Sequence, residues 1–175
     1  MKSQAELSIE LPVPCLVLLV GPTGAGKTTF AARHFRPTEV LSSDRFRALV
    51  ADDEGDMSAT ADAFELLHLA LARRLARGRL TVVDATNVQA AARRPLLALA
   101  ARLRVPVVAL VFDLPIEVAA ERNRRRPGRT VPRRVLRDQL RDLERSMAAL
   151  ADEGLVRIVV FRTAGEIEGV GITRR

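Results

Sequence analysis

Residues 21 to 28 read GPTGAGKT, a glycine-rich octet closed by a lysine and a threonine. The pattern is G-x-x-x-x-G-K-[ST], and its chemistry is phosphate binding. Glycines let the backbone wrap an anion, so that N–H groups from Gly21, Thr23, Gly24, Ala25 and Gly26 and the start of the following helix face it. Lys27 would reach the β- and γ-phosphates of a nucleotide, the Thr28 hydroxyl would hold Mg²⁺, and Thr29 continues the first helical turn. The chain has 26 arginines but two lysines, Lys2 and Lys27. A lysine kept inside this octet indicates that a compact ammonium matters there, since the two cations are not interchangeable.

Two more stretches carry candidate chemistry. LTVVDATN puts Asp84 straight after an apolar run, where a carboxylate could hold Mg²⁺ or could cap the next turn with Asn87. VLSSDRFR offers Asp44 and Arg47, which share a helix face at i and i+3. A carboxylate can accept the proton of a hydroxyl nucleophile, and a neighbouring arginine can grip an anion on the same substrate. Asp44 could instead cap the helix, a task Ser43 could also fill while lying beside the acceptor.

Charge is unevenly spread. Of the formal net charge of +7, the balance is carried between Arg122 and Arg145, and the run RNRRRPGR at 122 to 129 holds no acid. Arg122 and Arg129 flank a Pro-Gly turn, so 121 to 131 could form an arginine-rich lid that neutralises charge in transit. A nucleic-acid contact or an exposed helix paired with Asp138, Asp142 and Glu144 are the other readings. Cys15 lies in CLVLLV and is expected to be a buried, inert thiol; His34 and His68 sit among apolar neighbours and receive no role.

The elements that must position these residues are legible. Apolar runs at 14–20, 38–42, 79–84, 105–112 and 155–161 predict buried strands, and helical patterns fill 26–35, 44–51, 60–77, 88–103, 115–126 and 131–152. Strict alternation predicts one α/β domain over 1–175, a P-loop-type parallel sheet of about five strands with helices on both faces. Residues 1–12 are a tail or an edge strand, from the alternation of Leu7, Ile9 and Leu11, and the acidic loop at 51–57 is a solvated turn. Pro95 is expected to kink or split its helix. No apolar run is long enough to span a membrane and no signal peptide opens the chain, so a cytoplasmic protein is the expectation.

Taken together, GPTGAGKTTFAARHF, VLSSDRFRALVADDEGD, LTVVDATNVQ and VVALVFDLPIEVAAERNRRRPGRTV resemble the kinase domain of bacterial polynucleotide kinase-phosphatases, enzymes of RNA end repair. The resemblance spans about 14 to 161 and joins the common P-loop to the rarer S-D-x-x-R and D-A-T-N elements. It implies transfer of the γ-phosphate of ATP or another NTP, with Mg²⁺, to the 5′-hydroxyl end of RNA or DNA. Asp44 becomes the general base and Arg47 the contact to the phosphate beside the acceptor sugar. Lys27 and Thr28 become triphosphate and metal ligands, and Arg122 and Arg129 lid arginines. Family members usually carry phosphatase and ligase-like domains in a larger chain. With no Trp or Tyr and six Phe, nucleic-acid contact would run through backbone phosphate more than base stacking. The alternatives are a P-loop kinase of a small-molecule or sugar-nucleotide hydroxyl, and an ATP-binding switch that acts through a partner.

Overall fold

The computed structural model describes residues 8–125 and 131–175. In chain order the elements are β1 (Ser8–Leu11), β2 (Leu16–Val20), α1 (Lys27–His34), β3 (Val40–Ser42), α2 (Ser43–Ala51), α3 (Thr60–Ala76) and β4 (Thr81–Asp84). There follow α4 (Ala90–Arg102), β5 (Val107–Phe112), α5 (Ile116–Arg125), α6 (Arg133–Leu150), β6 (Arg157–Phe161), α7 (Ala164–Gly169) and β7 (Gly171–Arg174). The five strands and six helices expected from periodicity are present to within about two residues at each end.

Five strands form a sheet in the order β3-β4-β2-β5-β6, parallel at every pairing. A parallel strand needs a crossover to reach its neighbour, and the intervening helices supply it while covering both faces. The alternation along β2 sorts the core into two layers. Val17 and Leu19 face Phe30 and Ala31 of α1 and Ile167 of α7, whereas Leu16, Leu18 and Val20 face α3, α4 and α6 through Leu67, Leu71, Leu96 and Leu143. Leu67 and Leu71 are four apart, fully buried, and each contributes about 2 kcal/mol through area removed from water.

The N-terminal strand β1 lies outside the main sheet and pairs with β7 in a separate parallel ladder, Ser8 opposite Gly171 and Leu11 opposite Arg174. Pro95 does not split α4, which runs from Ala90 to Arg102. The loop after α2 is a turn, and its Glu54 carbonyl accepts a bond from the buried Arg47. Cys15 is buried, and burial pushes its thiol up to about 12, consistent with an inert side chain. Among the described residues, no helix is long and apolar enough to cross a membrane.

The largest fully buried side chain is an arginine. Arg93 of α4 meets the Glu153 carboxylate with both ends of its fork, Nε to Oε2 at 2.8 Å and Nη2 to Oε1 at 2.5 Å. Its Nη1 donates to the Asn87 carbonyl at 2.7 Å. A desolvated guanidinium is tolerable only while its charge and donors are matched. Glu153→Gln strips the counter-charge and is expected to lower stability by about 3 kcal/mol, visible as a lower urea midpoint at unchanged slope. Arg93→Met combined with Glu153→Met should recover most of the loss.

His34 and His68 pack against aromatic rings, His34 with its centroid 4.4 Å from that of Phe30 and His68 6.1 Å from that of Phe64. Burial lowers the pKa of both, with Arg33 adding to the effect at His34. The unfolded chain therefore binds these protons at higher pH than the folded one. Stability from this source is complete above the unfolded value near 6.5 and is lost as pH falls below it. Urea midpoints between pH 7.5 and 5 should fall less steeply in a His34→Leu, His68→Leu double variant than in the wild type.

Candidate active site

Every candidate residue that falls in the described part lies at the carboxyl edge of the parallel sheet, where open α/β folds bind ligands. The order across this rim follows the strand order. Asp44 follows β3, Asp84 ends β4, the glycine-rich loop follows β2, Arg122 is on α5 after β5, and α7 follows β6. All five regions line one cleft of about 750 Å³.

The loop owes its path to its glycines. Gly24 and Gly26 have φ of +81° and +97°, the left-handed region that a side chain disfavours. At Gly24 the constraint is doubled, because an added Cβ would stand 2.3 Å from the Ala119 carbonyl oxygen of α5. Gly26 caps α1, whose first turn carries Lys27, Thr28 and Thr29. Lys27 is buried, and its Nζ donates to the carbonyls of Gly21 and Pro22 at 2.8 Å each. The ammonium is thus held across the mouth of the loop, over the place where an anion would sit.

The Thr28 hydroxyl donates to Asp84 Oδ2 at 2.8 Å. A hydroxyl and a carboxylate in contact are hard oxygen donors, a fit for Mg²⁺, which takes one or two protein ligands beside waters and phosphate oxygens. Asn87, at φ +49°, donates its Nδ2 to the Leu19 carbonyl at 2.9 Å, and the Gly21 N–H donates to the Thr86 carbonyl at 2.8 Å. These two bonds tie the D-A-T-N turn to the start of the glycine-rich loop, so Asp84 and Thr28 keep their spacing. Arg93 holds the same turn from behind through the Asn87 carbonyl.

On the β3 flank, α2 is capped by Ser42, whose Oγ accepts from the Arg45 N–H, so neither Ser43 nor Asp44 is spent on the cap. Ser43 is buried in the cleft wall. Asp44 Oδ1 is bonded to Arg47 Nη2, as the i, i+3 spacing predicts. Arg47 is only 4% exposed, and its Nε donates to the Glu54 carbonyl at 2.8 Å. Met57, Thr60 and Phe64 complete this side of the cleft.

On the other flank, Arg122 Nη1 donates to the Ala25 carbonyl at 3.2 Å, laying the guanidinium against the glycine-rich loop. Arg129 and the Pro-Gly turn lie outside the described residues. Arg124 and Arg125 do not face the cleft as a bare cationic run, since both pair with Glu121 one turn earlier on the exposed face of α5. The sequence carries no warning of Gln139 on α6, whose Oε1 accepts the Thr23 N–H at 2.8 Å. Nor did it flag Arg33, Ile167 and Glu168, which line the cleft at the end away from Asp44.

Residues 16–150 match the AAA domain family, which covers most of the chain. The chain belongs to that family. Solved structures agree on the fold of this AAA domain. It is 21% identical, with a TM-score of 0.68, to a chain of the Pnkp1/Rnl/Hen1 RNA repair complex, over 79% of this chain and 47% of that one. The AAA domain therefore spans about half the length of that relative. It is 22% identical, with a TM-score of 0.55, to a gluconokinase from Sinorhizobium meliloti 1021, over 91% and 89% of the two chains. A chain of the AvrRxo1-ORF1:-ORF2 complex matches at 19% identity and a TM-score of 0.71, over 87% and 55%. At such identities the likeness is one of fold. No curated protein matches.

Proposed function

We propose that this AAA domain is a 5′-hydroxyl polynucleotide kinase, transferring the γ-phosphate of an NTP, ATP foremost, to the end of an RNA or DNA strand. The observation that carries it is the Asp44–Arg47 pair standing in one cleft with Lys27, Thr28, Asp84 and Arg122. The acceptor oxygen attacks the γ-phosphorus as the bond to the β,γ-bridging oxygen breaks, the nucleoside diphosphate leaves with that electron pair, and the hydroxyl proton passes to Asp44. Asp44 and α7 stand at opposite ends of the rim, which suits an in-line reaction with the acceptor on one side and the donor nucleoside on the other. Arg47 fixes the carboxylate by holding Oδ1. Lys27 and the loop N–H groups other than that of Thr23, which Gln139 engages, hold the β- and γ-phosphates, Arg122 neutralises charge from the α5 side, and Arg129 is taken to join it. Mg²⁺ held by Thr28 and Asp84 would offset the negative charge shared by the β- and γ-oxygens.

Support for a polynucleotide acceptor comes from the S-D-x-x-R and D-A-T-N elements and from the fold likeness to a chain of an RNA repair complex. Phosphatase and ligase activities on partner domains or chains belong to the same reading, as does a cytoplasmic place of work. A small-molecule acceptor is the second reading, and one observation favours it. Arg47 is buried and already engaged by Asp44 and by the Glu54 carbonyl, which leaves it a weaker handle for an acceptor phosphate.

The deciding experiment supplies γ-labelled ATP and Mg²⁺ with a 5′-hydroxyl oligonucleotide, its 5′-phosphorylated twin, a nucleoside, its 3′-monophosphate and a panel of sugar acids and polyols. Label on the 5′-hydroxyl strand and on the 3′-monophosphate, well above the plain nucleoside, is the expected result. Label only on a sugar acid or polyol would replace the polynucleotide with a small acceptor. Nucleotide binding without transfer to any of them would point to a switch.

A further inference from the structure

Gln139 is the one side chain of α6 that touches the glycine-rich loop by a hydrogen bond among the described residues. The Thr23 N–H can only donate, so the atom it meets must be the carbonyl oxygen of the side-chain amide. That leaves the Nε2 group, with its two N–H donors, as the remaining polar end of a side chain that lines the cleft. Its place along the cleft follows from its neighbours on the same helix. Asp142, three residues on, accepts from Gln89 Nε2 at 2.7 Å, and Ser146 Oγ donates to the Val88 carbonyl at 2.6 Å. The inner face of α6 therefore runs along the turn that follows Asp84, and Gln139 is where that row reaches the loop. This is the side of the phosphate site shared with Thr28 and Asp84, remote from the α7 end.

We propose that Gln139 reads the terminal phosphate of the bound nucleotide, its Oε1 clamping the Thr23 N–H and its Nε2 donating to a γ-phosphate oxygen. This rests on the nucleotide-site half of the proposed function and adds to it a residue that separates a triphosphate from a diphosphate. A neutral amide suits the task. It donates to the transferring group without adding a fixed positive charge that would hold the diphosphate product as well. Gln139 also makes α6 a part of the phosphate site, since the same helix grips the Asp84 turn through Asp142 and Ser146.

The test uses the full chain with Mg²⁺ and measures affinity for ADP and for the β,γ-imido analogue of ATP by competition with a fluorescent nucleotide. Gln139→Glu keeps an oxygen for the Thr23 N–H and removes the donor; Gln139→Leu removes both. Both variants should lose about tenfold more affinity for the triphosphate analogue than for ADP. A residue that only clamps the loop gives a different pattern, with Gln139→Leu weaker for both nucleotides alike and Gln139→Glu, through the repulsion of its charge, weaker for both without a tenfold difference between them. That pattern would overturn the proposal, as would unchanged binding in both variants. Thermal unfolding shows whether each variant folds, and the near-isosteric Gln139→Glu decides should Gln139→Leu fail. A separate arm asks whether wild type labels a 5′-hydroxyl oligonucleotide. Loss of triphosphate preference in the variants with no transfer by wild type would retain Gln139 and reject the kinase; transfer with intact preference in the variants would do the reverse. Wild type that binds neither nucleotide would reject both.

Discussion

From the proposed role of Asp44, Asp44→Asn is expected to lower phosphoryl transfer by about a hundred- to ten-thousand-fold and to leave nucleotide affinity unchanged. The size follows from the role: a positioned base acts only as the acceptor proton departs, and an amide cannot take that proton. The selectivity follows from place. Asp44 stands after β3 at one end of the rim, whereas Lys27, Thr28 and the loop N–H groups belong to α1 and to the turn after β2. Asn retains an oxygen for Arg47 Nη2, so α2 should keep its geometry, although the guanidinium loses a counter-charge. Single-turnover transfer and equilibrium nucleotide binding, measured on the same preparation, check both halves. Unchanged transfer would remove Asp44 from the reaction, and loss of binding together with transfer would make it a structural residue.

Gly24→Ala is expected to cost at least about 3 kcal/mol of stability and to abolish nucleotide binding. Two terms add. A left-handed φ of +81° strains any L side chain by about 1–2 kcal/mol. The new methyl would also lie 2.3 Å from the Ala119 carbonyl oxygen, a backbone atom of α5 that cannot swing aside as a side chain would. Relief requires α5 and the loop to part, and that separation would break the contact of Arg122 with the Ala25 carbonyl. Gly78→Ala is the internal control. Its φ of +67° carries the same backbone strain, but nothing lies within 4 Å of the added atom. Urea unfolding of the two variants should differ by the steric part alone. A Gly24→Ala protein as stable as Gly78→Ala would show that α5 yields easily.

The parallel sheet was readable because strands covered on both faces are continuous apolar runs, as in VVALVF of β5, and because helical periods separate them. The phosphate loop was readable because few residues other than glycine accept its backbone. Asp44 and Arg47 were readable as a pair since one helical turn brings them together. What escaped has physical reasons too. The stretch RTAGEIEGVGITRR holds little apolar surface, so α7 and β7 gave no periodic signal, although the capping box of Thr163 and Glu166 was open to view. Arg93 is one of many arginines, and nothing local says that its fork is buried against Glu153. Gln139 meets Thr23 across most of the chain, a contact that no spacing rule encodes. Ser42 took the helix cap because the turn from β3 into α2 falls one residue earlier than the run of polar side chains suggested.

The β1–β7 ladder joins Ser8 to Gly171 and buries Ile9 and Leu11 completely, so it is among the contacts that span the most chain. Closing so long a loop is entropically costly until the intervening sheet has already brought its ends near each other. The ladder is therefore expected to form late in folding, after the rate-limiting barrier. Trimming Ile9 or Leu11 to alanine should then quicken unfolding while the refolding rate barely changes, so that the ladder governs how long the native state lasts more than how fast it is reached.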